Sequence, residues 1–135
     1  MKTKLFLLLS TVLLMTGLYS CKKKAKEPTI KELLTSGVWY NYESKKFDAQ
    51  GNEVFYISVK LYYEFTPSGN FYAFTNSRNL IIYGKYEVIE SDKKIIATPY
   101  QGTPVENKIL EINENEMILR KDISDGYFIY KYKKE

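Results

Sequence analysis

The chain has 135 residues, 20 Lys and Arg against 16 Asp and Glu (net charge +4), no histidine and one cysteine, Cys21. That composition excludes a Ser-His-Asp or Cys-His nucleophile, a His- or Cys-based zinc site and an internal disulfide. The basic surplus is local: from Pro28 onward 14 Lys and Arg face 15 Asp and Glu, so the high pI is no argument for a nucleic-acid partner.

Lys2 and Lys4 precede Leu5 to Leu18, an uncharged run dominated by leucine. As a helix this run spans about 21 Å, short of a hydrocarbon core of about 30 Å, so it reads as the apolar region of a signal peptide. It ends in Leu18-Tyr19-Ser20-Cys21, which resembles the lipobox of bacterial lipoproteins, with Tyr19 departing from the small residue usual at its place. The resemblance implies cleavage before Cys21, a diacylglycerol thioether on its sulfur and often an acyl group on its amine. Two or three acyl chains hold a protein firmly where one holds it marginally. The alternative is a soluble secreted protein whose cysteine is incidental. The expected organisation is therefore a signal peptide over 1–20, a lipidated cysteine and basic tether over 21–28, and one folded domain over 29–135. Lys22, Lys23, Lys24 and Lys26 either add attraction to an anionic leaflet, about 1 kcal/mol each, or form a charged spacer. Some surface-exported lipoproteins of the Bacteroidetes carry an acidic run after the cysteine. The basic run here points instead to the periplasmic face of a Gram-negative outer membrane.

Thr29-Ile30-Lys31-Glu32 fits a capping box, and Ile30, Leu33 and Leu34 share one side of a short helix that stops by Gly37, a lid on one end of the domain. From Val38 onward, short runs of Tyr, Phe, Ile and Val alternate with turn residues, which predicts an all-β domain. The first strand is expected over Gly37 to Tyr42, with Lys45 to Asn52 as a loop. Val54 to Thr66 forms the second, broken near Ser58, with Leu61, Tyr63 and Phe65 on one face. Pro67-Ser68-Gly69 turns the chain into Phe71 to Thr75. Further strands are Leu80 to Glu90, Lys94 to Thr98, Lys108 to Ile112, Met117 to Lys121 and Tyr127 to Lys133. About eight strands on short turns favour an antiparallel up-and-down barrel, with an open β-sandwich as the alternative.

Gly37-Val38-Trp39, the hairpin from Tyr63 to Phe71, Gly84-Lys85-Tyr86-Glu87-Val88 and the pairing of Met117-Ile118-Leu119 with Phe128-Ile129-Tyr130 resemble the lipocalin-like domains of bacterial lipoproteins. The resemblance spans most of 29–135. It implies a small barrel and no single activity, since fold does not fix function. It also implies that Trp39 packs under a late-strand arginine, for which Arg120 is the candidate.

The 13 tyrosines suit either a pocket for an amphipathic ligand or the polar-tipped filling of a small barrel. If a pocket exists, its candidate lining is Trp39, Tyr63, Phe65, Phe71, Tyr86, Phe128 and Tyr130, although the place of Trp39 favours a plug at the closed end. No spacing selects a catalytic pair among Glu64, Glu87, Glu111, Glu114 and Glu116. Asp48 to Glu53 lacks the twelve-residue spacing of a calcium loop. The basic-aromatic tail Tyr130 to Lys134 resembles a single-strand nucleic-acid groove, but export argues against that partner. The expectation is a non-catalytic membrane-anchored protein that binds a small apolar or amphipathic molecule without a cofactor or metal. The alternative is an interaction module, an inhibitor or a subunit of an envelope complex, that works through its loops on a protein partner the sequence does not identify.

Overall fold

Helix α1 (Ile30–Leu34) is one and a half turns long, and too short to stand without caps and packing. Its capping box is complete: the Glu32 amide donates to Thr29 Oγ1 at 3.1 Å and the Thr29 amide to Glu32 Oε2 at 2.6 Å. The next two amides, of Ile30 and Lys31, donate to the carboxylate of Glu90 on a distant turn. At the other end the Leu34 carbonyl accepts from the Trp39 indole at 2.8 Å. With Leu34 fully buried, the expected lid is in place and fastened at both ends. These features belong to a computed structural model that describes residues 26–57 and 60–135. The leader, Cys21 and the tether up to residue 25 lie outside the described residues, as do Ser58 and Val59 at the expected break.

Nine strand segments come after the helix: β1 (Val38–Asp48), β2 (Glu53–Ile57), β3 (Leu61–Phe65), β4 (Asn70–Phe74), β5 (Leu80–Ile89), β6 (Lys94–Pro99), β7 (Val105–Ile112), β8 (Glu116–Ile123) and β9 (Gly126–Lys134). β3 to β9 pair each with the next, and β1 closes the sheet by pairing with β9 on one edge. Its other edge is shared. β3 pairs with Val38 to Asn41, and β2 with Ser44 to Phe47. β2 and β3 are thus two lengths of one strand position, and the nine segments make an eight-stranded closed antiparallel barrel, as expected.

The stretch expected as a loop from Lys45 is different. β1 continues through Asp48, since Lys45 to Asp48 pair with β9. The alternation is hidden in the sequence because Tyr42 is an extra residue in a bulge between Asn41 and Glu43, which shifts every later residue by one place. Lysine also persists in this strand because both Lys45 and Lys46 meet carboxylates, Glu53 and Asp125. β7 likewise begins three residues earlier than expected and carries a bulge between Ile109 and Glu111.

Two glycines let backbones approach. A Cβ on Gly84 would collide with the Thr98 carbonyl and the Phe71 ring, and one on Gly126, at φ +150°, with the Phe47 carbonyl. Up-and-down order sorts the connections to two ends. The lidded end holds α1, the β3–β4, β5–β6 and β7–β8 turns and the C terminus. The mouth holds the other four connections, and exposes Val54, Phe55 and Tyr56 of β2, Leu80 to Tyr83 of β5, and Tyr100.

Candidate functional site

The strand registers arrange the barrel interior in layers from lid to mouth. Trp39 stands beside Tyr63 and Lys134, Asn41 beside Leu61 and Tyr132, Ser44 beside Ile57 and Tyr130, and Lys46 beside Phe55 and Phe128. Three adjacent strands, β3, β1 and β9, therefore turn Tyr63, Asn41, Ser44, Tyr130 and Tyr132 toward one side of the interior. Across from them stand apolar side chains of β4 to β8, among them Phe71, Ala73, Tyr86, Ile95, Ile109 and Leu119.

Asn41 and Ser44 are buried and satisfied. Ser44 Oγ donates to Asn41 Oδ1 at 2.9 Å, and Asn41 Nδ2 donates to the carbonyls of Glu43 and Lys131 at 3.2 Å each. The second of these bonds crosses the bulge, where a regular ladder bond is missing, so the amide repairs the backbone where the strand departs from register.

The phenols are different. The Tyr63 and Tyr132 rings meet edge to face with centroids 5.6 Å apart, and Tyr130 stacks on Phe128 at 5.8 Å. Burial raises the Tyr63 hydroxyl to about 12, with a smaller contribution from Tyr130. Burial likewise lifts Tyr130, and it lifts Tyr132 well above the ordinary phenol range. All three are neutral O–H donors throughout the physiological range. Tyr86, which is also raised by burial, donates to the Thr66 carbonyl at 2.7 Å.

The seven residues singled out in the sequence separate into two groups. Trp39, Phe65, Phe71 and Tyr86 are buried in the core and fill the lidded half, with Trp39 completely enclosed. Tyr63, Tyr130 and Phe128 lie on the β3 and β9 walls and are only partly buried. The cation over Trp39 is Lys134, 5.0 Å from the ring, and its ammonium donates to Ser36 Oγ at 2.6 Å. Arg120 lies elsewhere, 3.9 Å over Tyr127 and paired with Asp122. The place that the family resemblance implies for Arg120 is thus taken by the C-terminal strand, whose end register brings Lys134 opposite Trp39.

Sequence reasoning missed Tyr132, Asn41 and Ser44. Tyr132 continues the alternation of Phe128 and Tyr130, so that signal was present. Asn41 follows Trp39 by two, but a buried asparagine is not an apolar signal, and the bulge at Tyr42 puts Ser44 out of phase. No protein-family model matches the chain, and no curated protein matches it. Among the described residues no helix is long and apolar enough to cross a membrane.

Proposed function

We propose that the chain is a lipocalin-like lipoprotein that holds a small apolar or amphipathic molecule inside its barrel and catalyses no reaction on it. The observation that carries the binding function is the division of the interior: a wall of hydroxyl and amide side chains on β3, β1 and β9 faces an apolar wall on β4 to β8. Such an interior complements a molecule with one polar and one apolar side. Anchoring at Cys21 in the outer membrane, on the periplasmic face, is part of the proposal and rests on Leu18-Tyr19-Ser20-Cys21 and the basic tether. The chain enters the barrel at its lidded end, so a tether there leaves the mouth free for exchange.

The test uses the single tryptophan, native mass and a panel of fatty acids, lipids and aromatic compounds. Retention of at least one class at micromolar concentration supports the reading, and indifference to the whole panel counts against it. Mass spectrometry of the N-terminal peptide checks the anchor, which an unmodified Cys21 in the mature protein would exclude.

One observation favours the second reading, an interaction module. An open groove of about 430 Å³ lies between Ile81, Ile82, Tyr83, Pro99, Tyr100 and Gln101, where apolar side chains of β5 are exposed beside the β6–β7 loop. Crosslinking in cells separates the two, because a module yields a stoichiometric protein partner and a carrier does not.

A further inference from the structure

Tyr132 is 7% exposed, yet its hydroxyl makes no hydrogen bond among the described residues, and the same holds for Tyr63 and Tyr130. The described residues contain one fully occluded side-chain oxygen without a hydrogen bond, Glu43 Oε1, and that atom is 2.6 Å from the Lys131 ammonium. The three phenol oxygens are not among such occluded atoms. The three donors are neighbours on one side of the barrel interior: the Tyr63 and Tyr132 rings meet edge to face, and Tyr130 stands two places before Tyr132 on β9. A buried donor left without a partner is costly, so this arrangement asks for an acceptor.

The charge around the stripe narrows the acceptor's class. On the interior faces of β1 and β9, cations stand only at its two ends. Lys134 over Trp39 donates to Ser36, and Lys46, toward the mouth, is paired with Asp125 at 2.7 Å. The donors of Asn41 and Ser44 are committed to the protein. A carboxylate placed among the three phenols would give up its hydration to neutral donors with no counter-ion, whereas a carbonyl, ester or ether oxygen gives up far less.

We infer that the ligand presents an uncharged oxygen acceptor, of the ketone, ester or quinone type, to the hydroxyls of Tyr63, Tyr130 and Tyr132, and lays its apolar body against the β4 to β8 wall. This rests on the proposal that the barrel binds a ligand at all, and deepens it by naming the head group.

The experiment uses the chain from residue 21 onward, unacylated, in which every strand of the barrel is present. Two fluorescent probes are compared, a 6-acyl-2-dimethylaminonaphthalene, whose emission shifts red when its carbonyl accepts a hydrogen bond, and 2-dimethylaminonaphthalene, which lacks the carbonyl. The expected result is at least tenfold tighter binding of the acyl probe, with hydrogen-bonded emission, about the increment of one buried hydrogen bond. Tyr132→Phe should cut that advantage and move the emission toward the blue, and Tyr132→Phe combined with Tyr63→Phe and Tyr130→Phe should abolish both, while leaving the weaker probe unchanged. Tyr62→Phe, on the outer face where the hydroxyl donates to Asn76, should alter neither. In the free protein Tyr132→Phe should leave the unfolding midpoint unchanged or raise it, because no partner is lost. Equal binding of the two probes overturns the inference and leaves the binding function standing. Tighter binding of the matching naphthalene carboxylate than of the acyl probe also overturns it. A lower midpoint for Tyr132→Phe does so as well, by showing the hydroxyl bonded within the protein. Binding of neither fluorescent probe nor of the carboxylate overturns the inference together with the reading it rests on.

Discussion

The two walls of the barrel interior are built from the same residue class and behave in opposite ways. On β4 to β8, Phe71 and Tyr86 pack against the Phe65 ring in one core cluster with Ile95, and the one phenol among them donates a hydrogen bond to a backbone carbonyl. On β3 and β9, Tyr63, Tyr130 and Tyr132 pack as rings but keep their hydroxyls unengaged among the described residues. A tyrosine is thus core filler where a carbonyl is within reach, and a candidate recognition group where none is. The difference lies in the neighbours, not in the residue.

The strongest way to break the comparison is at the packed wall. Phe71→Ala removes a ring in contact with Phe65 and covering Gly84, and is expected to cost about 3–5 kcal/mol in chemical denaturation. A comparable loss from Tyr130→Phe, on the other wall, would mean that the two walls do not differ. Alkaline pH tests the phenol wall next. A group whose folded pKa is raised above its unfolded value contributes fully below the unfolded value, near 10 for a phenol. It loses that contribution as the pH climbs through the folded one. For Tyr63, raised to about 12, stability should therefore hold up to pH 10 and fall by about 2–3 kcal/mol toward pH 12. Denaturant midpoints across that range check this, and Tyr63→Phe should flatten the fall.

Gly84→Ala sharpens the comparison at the seam between β5 and β6. The added methyl meets the Thr98 backbone and the Phe71 ring, and a loss of about 1–3 kcal/mol in thermal or denaturant unfolding is expected. The smallest effect belongs to the outer surface. Lys45→Ala breaks a solvent-screened pair with Glu53 and should shift the denaturation midpoint least of all these substitutions, less again in high salt.

Much of this fold was legible. The capping box, the turn at Pro67-Ser68-Gly69 and the inward set Leu61, Tyr63 and Phe65 come from local rules that hold wherever the segment sits. The extension of β1 was not legible, because one bulged residue reverses the phase of everything after it and lysines mask a strand whose carboxylate partners lie elsewhere in the chain. Of the candidate site, Tyr63 and Tyr130 could be named from alternation. That they meet Tyr132, and that Lys134 rather than Arg120 covers Trp39, depends on how β9 registers against β1.

By itself the sequence determined an all-β chain with a short capped helix, an order of strands that meander, and a composition without histidine or disulfide. These are properties of neighbours along the chain, where period, capping and turn chemistry act. Only the tertiary structure decided that β1 joins β9 to close the barrel, which tyrosines face a carbonyl, and which face one another. Those outcomes depend on contacts between residues as far apart as Asn41 and Tyr132, and no local pattern records them.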